Sequence, residues 1–152
     1  MDLILEGIAL SLTWQSLLAI FLGVAAGQIL GAIPGLTASM AVALLIPYSF
    51  YFDPWVGIPM LLGMFKGSLF GSSVTAILIR TPGTPAASAT VLDGYPLAQQ
   101  GKGAKAMKMA LYSSVFGDTF SDVCLIFFAS ILALVALKFG PAEYTLLILL
   151  AL

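Results

Sequence analysis

The sequence predicts an all-α, polytopic integral membrane protein whose helices are broken, or made re-entrant, by Pro-Gly segments. Three observations carry this. Of 152 residues, 61% are hydrophobic and only 9% are charged, against roughly 25% charged in a soluble domain. Residues 7–52 and 123–137 contain no charge at all, and uncharged apolar runs of about 18 residues or more read as transmembrane helices. Finally, Pro34-Gly35 and Pro82-Gly83 stand where apolar segments end.

The first apolar segment runs from about Leu10 to Leu30 and stops at GAIPG, residues 31–35. Pro34 lacks a backbone donor, and Gly31 and Gly35 permit conformations closed to other residues. The N-terminus carries Asp2 and Glu6 and no basic residue, unlike the positive n-region of a signal peptide. The segment is therefore expected to remain as a membrane helix. A second segment, Leu36–Phe52, ends at FDPW, where Asp53 and Pro54 signal a turn and a new helix start. The third runs from Pro54 to Ile79.

Residues 80–106, RTPGTPAASATVLDGYPLAQQGKGAKA, are rich in Pro, Gly, Thr, Ser and Ala. Asp93-Gly94 and Tyr95-Pro96 read as turn formers. The fourth segment, Gly103–Phe139, is too long for one span, so an interfacial piece near 103–116 and a span near 119–139 are expected. FGPAEY then breaks it. Only AEYTLLILLAL follows Pro141. That is short of the roughly 20 residues a span needs, so the sequence is expected to stop inside a helix.

Two glycine triplets, Gly23/Gly27/Gly31 and Gly63/Gly67/Gly71, repeat at spacing four. Each lines one helix face without side chains, which lets another backbone approach closely. Trp14, Tyr48, Tyr51 and Trp55 fall near segment ends and read as interface anchors. Arg80, Lys102, Lys105 and Lys108 flank a single connection, and such an excess of basic residues marks the cytoplasmic side. If the first three segments all cross, the N-terminus lies outside; re-entrant hairpins would change that parity.

There is no histidine, and Cys124 is the only cysteine. Ser–His and Cys–His catalysis, a disulfide framework and a His- or Cys-based metal cluster are thereby excluded within this chain. Nothing suggests an enzyme, and no basic-aromatic patch suggests a nucleic-acid partner. Irregular backbone at membrane depth is tolerated only where it is buried in protein or lines a cavity. There it offers carbonyls to cations and helix N-termini to anions. TPGTPAASAT suits such a role. It has small side chains, hydroxyls at Thr81, Thr84, Ser88 and Thr90, and prolines at 82 and 85. An ordinary cytoplasmic loop is the alternative. GAIPGLTAS at 31–39 is a weak echo of RTPGTPAAS at 80–88.

Charged residues inside apolar segments are functional or paired by default. Lys66 is expected to attract a substrate carboxylate, to pair with Asp118 or Asp122, or to lie at the interface if the helix bounds are shifted. Those two acids, four residues apart on one helix face, are alternatively cation or proton contacts. Arg80 is either an anchor or a planar, bidentate carboxylate contact. Lys102, Lys105 and Lys108 are expected to form a solvated or headgroup-facing surface.

GAIPGLTASMAVALLIPYSF and GSLFGSSVTAILIRTPGTPAASATVLDGYPLAQQGKGAKAMKMALYSSVFG resemble the large membrane subunit of tripartite tricarboxylate transporters, the TctA family. The resemblance covers about residues 15–120 and is most specific in PGTPAASATVLDGYPLAQQGKGAKA. It implies a secondary transporter of the bacterial inner membrane, multi-pass, driven by a Na⁺ or H⁺ gradient and without a cofactor. It implies as partners a small membrane subunit and a periplasmic solute-binding protein that delivers citrate or related carboxylates. Residues 1–152 would then be the N-terminal part of one permease domain; a structural subunit or a non-functional permease fragment is the alternative.

The resemblance also implies that both Pro-Gly segments lie near the substrate path. In this chain these are Gly31, Pro34, Gly35 and Thr37, then Thr81, Pro82, Gly83, Thr84 and Pro85, with the Ser72 and Ser73 hydroxyls added. Asp93, Gly94 and Tyr95 match the family's DGYP element. The chain departs from the family's usual Gly-Gly-Ser-like element at FGSS, residues 70–73, and from a neutral polar residue at Arg80. Lys66, Asp118 and Asp122 are also unusual.

Overall fold

The computed structural model describes residue 7 and residues 9–151. Every element assigned among them is helical: α1 (Trp14–Gly31), α2 (Ala38–Ser49), α3 (Pro54–Ile79), a 3-10 turn (Pro85–Ala87), α4 (Ser88–Leu97), a π turn (Ala98–Lys102), α5 (Gly103–Ala136) and α6 (Pro141–Ala151). Helices α1 and α3 are each long and apolar enough to cross a membrane, as is the helical stretch Pro85–Ala129. The protein is an all-α membrane protein. The chain forms two compact units, Met1–Tyr112 and Ser113–Leu152.

The first unit is built on the α1–α3 seam. A methyl group added to Gly23, Gly27 or Gly31 would overlap the carbonyl oxygen of Met60, Met64 or Ser68. One added to Gly63, Gly67 or Gly71 would meet the carbonyl of Ile20, Val24 or Gln28. Partner numbers rise together along both helices, so α1 and α3 run parallel. The contacts are also reciprocal, each glycine Cα lying against a carbonyl of the other helix. Cα–H···O contacts of this kind and close backbone packing are what hold helices together where lipid supplies no hydrophobic drive. Neither helix has a basic residue in its last turn or an acidic one in its first.

Two parallel helices require a return path, and α2 supplies it. Thr37 caps its N-terminus by accepting from the Met40 N–H at 3.3 Å. Its far end turns tightly at Phe50–Asp53 into α3, which has Pro54 at its first position. A methyl on Gly57 would lie 2.9 Å from the Ser49 carbonyl. Counting about 1.5 Å per residue back from there sets the start of α2 near the depth of Ser68. The α2 helix is shorter than the predicted Leu36–Phe52 segment because Pro34, Gly35 (φ +92°) and Thr37 occupy its approach.

The aromatic anchors gather at one end. Trp14 opens α1, Trp55 follows Pro54 at the start of α3, Tyr48 lies in the last turn of α2 and Tyr51 just beyond it; all four are exposed. A bond ties this end together. Pro59 inside α3 has no N–H to give to the Trp55 carbonyl. That oxygen instead accepts from the fully buried Ser16 hydroxyl at 2.7 Å. Ser16→Ala is expected to cost about 1–2 kcal/mol by leaving the carbonyl unpaired, measured as a lower midpoint of denaturant unfolding in micelles.

Beyond α3 the chain dips back. Arg80 ends the helix in the left-handed conformation (φ 59°). Gly83 then lies beside Gly31 and Ser72, about 12 Å back along α3. From there α4 climbs again: Gly94 packs on Ile77, and the Arg80 guanidinium sits 5.8 Å from the Tyr95 ring centroid. The segment is thus re-entrant. Asp93-Gly94 and Tyr95-Pro96, expected as turns, lie inside α4 with Pro96 tolerated. The turn comes later, at Gly101 (φ 76°).

In the second unit, the predicted division of the fourth segment does not occur; α5 runs unbroken to Ala136. Gly117 and the Asp118/Thr119 pair do not interrupt it, and the Thr119 hydroxyl donates to the Val115 carbonyl at 2.7 Å. Phe116, Phe120, Ile126 and Phe127 are exposed on it.

Candidate functional site

The two Pro-Gly junctions meet. A Cβ on Gly83 would lie 2.8 Å from the Gly31 carbonyl oxygen and 3.3 Å from the Ser72 hydroxyl. The Ser72 Oγ accepts from the Thr84 N–H at 2.8 Å and shares a 3.0 Å hydrogen bond with the Thr84 hydroxyl. Ser72 is fully buried and Thr84 nearly so, as are Gly31, Gly83 and Ala87. The sequence dictates this locally. Pro82 and Pro85 bar regular helix on both sides of Gly83, so the Thr84 N–H needs a side-chain acceptor. Ser72, one turn from Ser68 on α3, provides it.

The structure therefore gathers Gly31, Ser72, Gly83 and Thr84 from the expected path residues. The others stand apart. Pro34 and Gly35 are exposed at the first junction, with no atom within 4 Å of the position a Gly35 Cβ would take. Thr37 serves as the α2 cap. The Ser73 hydroxyl turns back to the Leu69 carbonyl at 3.4 Å, and the exposed Thr81 hydroxyl to the Ile79 carbonyl at 3.1 Å. Pro82 is half-buried, while Pro85 is exposed and opens the 3-10 turn. Arg80 is exposed over Tyr95, away from the Ser72–Thr84 pair. Lys66 is half-buried on α3, and Asp118 and Asp122 are exposed on α5 in the second unit.

One residue that sequence reasoning passed over belongs with the cluster. Ser68, one turn before Ser72, is fully buried, with its backbone against Gly31. Its position between Gly67 and Gly71 on the small-residue face was the available signal.

Depth follows from the register. Trp55 and Arg80 mark the two ends of α3, about 37 Å apart at 1.5 Å per residue, close to the hydrocarbon thickness plus part of the interfaces. Ser68 falls midway and Ser72 about 6 Å further on. The junction cluster thus lies near the middle of α3.

A family model described as tripartite tricarboxylate transporter TctA family matches residues 17–152. The chain belongs to the TctA family. An uncharacterized 52.8 kDa protein of Agrobacterium vitis, from the TAR-I ttuC' 3' region, is 38% identical over 155 residues; the match covers 100% of this chain and 31% of that relative. The chain thus spans about a third of the length of the curated relative it matches. No solved structure matches. The family is, by that description, one of tripartite tricarboxylate transporters.

Proposed function

We propose that this chain supplies one half of a mid-membrane carboxylate path. The uptake substrates would be citrate-like di- and tricarboxylates, moved by cation-coupled alternating access. The single observation that carries this is the meeting of the two Pro-Gly junctions, Gly31 against Gly83, held by Ser72 and Thr84. A re-entrant segment ending in a helix N-terminus is suited to anionic groups. The glycines let backbone dipoles approach a substrate without side-chain interference. A periplasmic binding protein would deliver substrate to the aromatic-marked end, and a small membrane subunit would complete the transporter. The basic residues Arg80, Lys102, Lys105 and Lys108 support a cytoplasmic position for the other end, and the membrane would be a bacterial inner membrane. Residues 1–152 act in this reading as the N-terminal part of one permease domain.

The test is uptake of radiolabelled citrate and related carboxylates by cells that express the full-length gene with its binding protein. Gly83→Leu is expected to reduce uptake at least tenfold while leaving membrane insertion intact, because its side chain would occupy the contact with Gly31 and Ser72. Unchanged uptake would make the segment an ordinary cytoplasmic-side loop and end this reading.

A further inference from the structure

We propose that the first turns of α5 and the end of α3 form a docking surface for an anionic phospholipid headgroup. Helix α5 begins with two contrasting faces. Gly103, Ala106, Met107 and Ala110 follow the i, i+3, i+4, i+7 pattern of one face, and all four are buried or half-buried. That face packs inward: a methyl on Gly103 would lie 3.5 Å from Ala98 and 3.7 Å from the Leu78 side chain. Lys105, Lys108, Met109 and Tyr112 repeat the pattern two residues on, about 200° around the helix, and all four are exposed. Lys102 lies one turn before Lys105, at the end of the π turn. The contact with Leu78 sets this start of α5 beside the last turn of α3, where Arg80 is exposed over the Tyr95 ring.

The positive charge of this surface is uncompensated. From Arg80 to Gly117 the sequence holds four basic residues and one acid, Asp93. Asp93 lies on α4, two residues and about 200° from Tyr95, the residue that faces Arg80. Lys102 donates to the Gln100 side-chain oxygen at 3.5 Å, and Lys105 and Lys108 have no hydrogen bond or ion pair among the described residues. Like charges one turn apart on a helix repel, so an anion that bridges them is favoured. The interleaved apolar side chains select which anion. Met109 is 67% exposed and Tyr112 69%, each within one turn of a lysine, and a small free anion would leave both uncovered. Leu78 and Ile79 are also exposed, at the end of a helix apolar enough to cross the membrane, so lipid reaches this level. A phospholipid answers both features. Its phosphate meets the lysines and the planar Arg80 fork, and its glycerol and upper acyl chain lie along Met109 and Tyr112.

The inference goes beyond the transport path and does not rest on it. The test is native mass spectrometry of the purified full-length protein in detergent, with equimolar phosphatidylglycerol and phosphatidylcholine added. Wild type is expected to retain phosphatidylglycerol in preference to phosphatidylcholine. Lys105→Gln and Lys108→Gln are each expected to lower that preference about fivefold. Lys138→Gln, beyond the other end of α5, should leave it unchanged. All these side chains are exposed, so the variants keep the fold. Met109→Gln, which alters no charge, is expected to weaken retention of phosphatidylglycerol, and excess inorganic phosphate should not displace the lipid. Equal retention of the two lipids by wild type overturns the proposal and leaves the basic surface to a soluble acidic partner. Wild-type preference in the Lys105→Gln/Lys108→Gln double variant also overturns it. So does displacement by inorganic phosphate, or unchanged retention in Met109→Gln, since either makes this a site for free anions.

Discussion

Gly67→Ala is expected to destabilise the first unit by about 3 kcal/mol, the upper range for forcing extra volume into a closed core, and Gly67→Leu to abolish the α1–α3 pairing. The added methyl has nowhere to go: it meets the Val24 carbonyl oxygen, with the Val24 Cα 2.9 Å away. These are backbone atoms, so no rotamer change relieves the overlap, and the helices must separate. Separation at one glycine also lengthens the Cα–H···O contacts at the other five. Gly27→Ala is therefore expected to cost a similar amount, and the double variant less than the sum, because one displacement relieves both overlaps. Gly103→Ala is the control: its methyl would find its nearest neighbour at 3.5 Å, ordinary contact distance. Denaturant titration of the protein in mixed micelles measures all five. If Gly67→Ala and Gly103→Ala unfold together, the seam is not the core of this unit.

The seam was legible because its signal is periodic. Three glycines at spacing four appear twice, and nothing else in the chain competes to explain them. The start of α3 was legible as well, since Asp53-Pro54 bars what precedes it from continuing as helix. What the pattern could not give was relative direction. Triplets of this kind suit parallel and antiparallel pairs equally, and only the partner carbonyls, Met60 to Ser68 and Ile20 to Gln28, decide for parallel. With that direction fixed, the anchors Trp14, Tyr48, Tyr51 and Trp55 fall at one level, and the depth of every residue on α3 follows.

The segment 88–97 misled for a physical reason. Gly94 reads as a turn residue, but its missing side chain makes room for the Ile77 side chain, which would lie 2.7 Å from a Cβ. Pro96 reads as a helix breaker, yet it sits in the last turn of a ten-residue helix, where one lost bond is cheap. Tertiary packing thus overrides local turn preference. Among the candidate site residues, Gly31 stood out by the glycine spacing and Gly83 by the Pro-Gly motif that carries the family resemblance. Ser16 did not, because a serine on an apolar helix carries no signal until its partners are known, and Ser68 was marked only by its place between Gly67 and Gly71.

Ser72→Ala is expected to cost more than Thr84→Val, although each deletes one side of the same hydroxyl pair. The Ser72 Oγ accepts from the Thr84 N–H as well as sharing a hydrogen bond with its hydroxyl. Loss of that oxygen strands a buried backbone donor between two prolines, and the desolvation penalty adds to the lost bonds, about 2–3 kcal/mol together. Thr84→Val keeps the shape and the backbone bond and gives up one hydroxyl contact, about 1 kcal/mol. In a double-mutant cycle the pair should show a coupling of about 0.5–1 kcal/mol. The functional consequence follows from place. Without the Ser72 acceptor, the tip at Gly83–Thr84 has nothing to hold it at the Gly31 carbonyl, and the two junctions part. Ser72→Ala should therefore make a cysteine at Thr84 react faster with a membrane-impermeant thiol reagent applied from the cytoplasmic side, in a Cys124→Ala background. Ser73→Ala, whose hydroxyl only turns back to Leu69, should leave that rate unchanged. Equal labelling in both variants would mean that the prolines and the Gly31–Gly83 contact alone fix the tip, and that the Ser72–Thr84 pair is dispensable to its position.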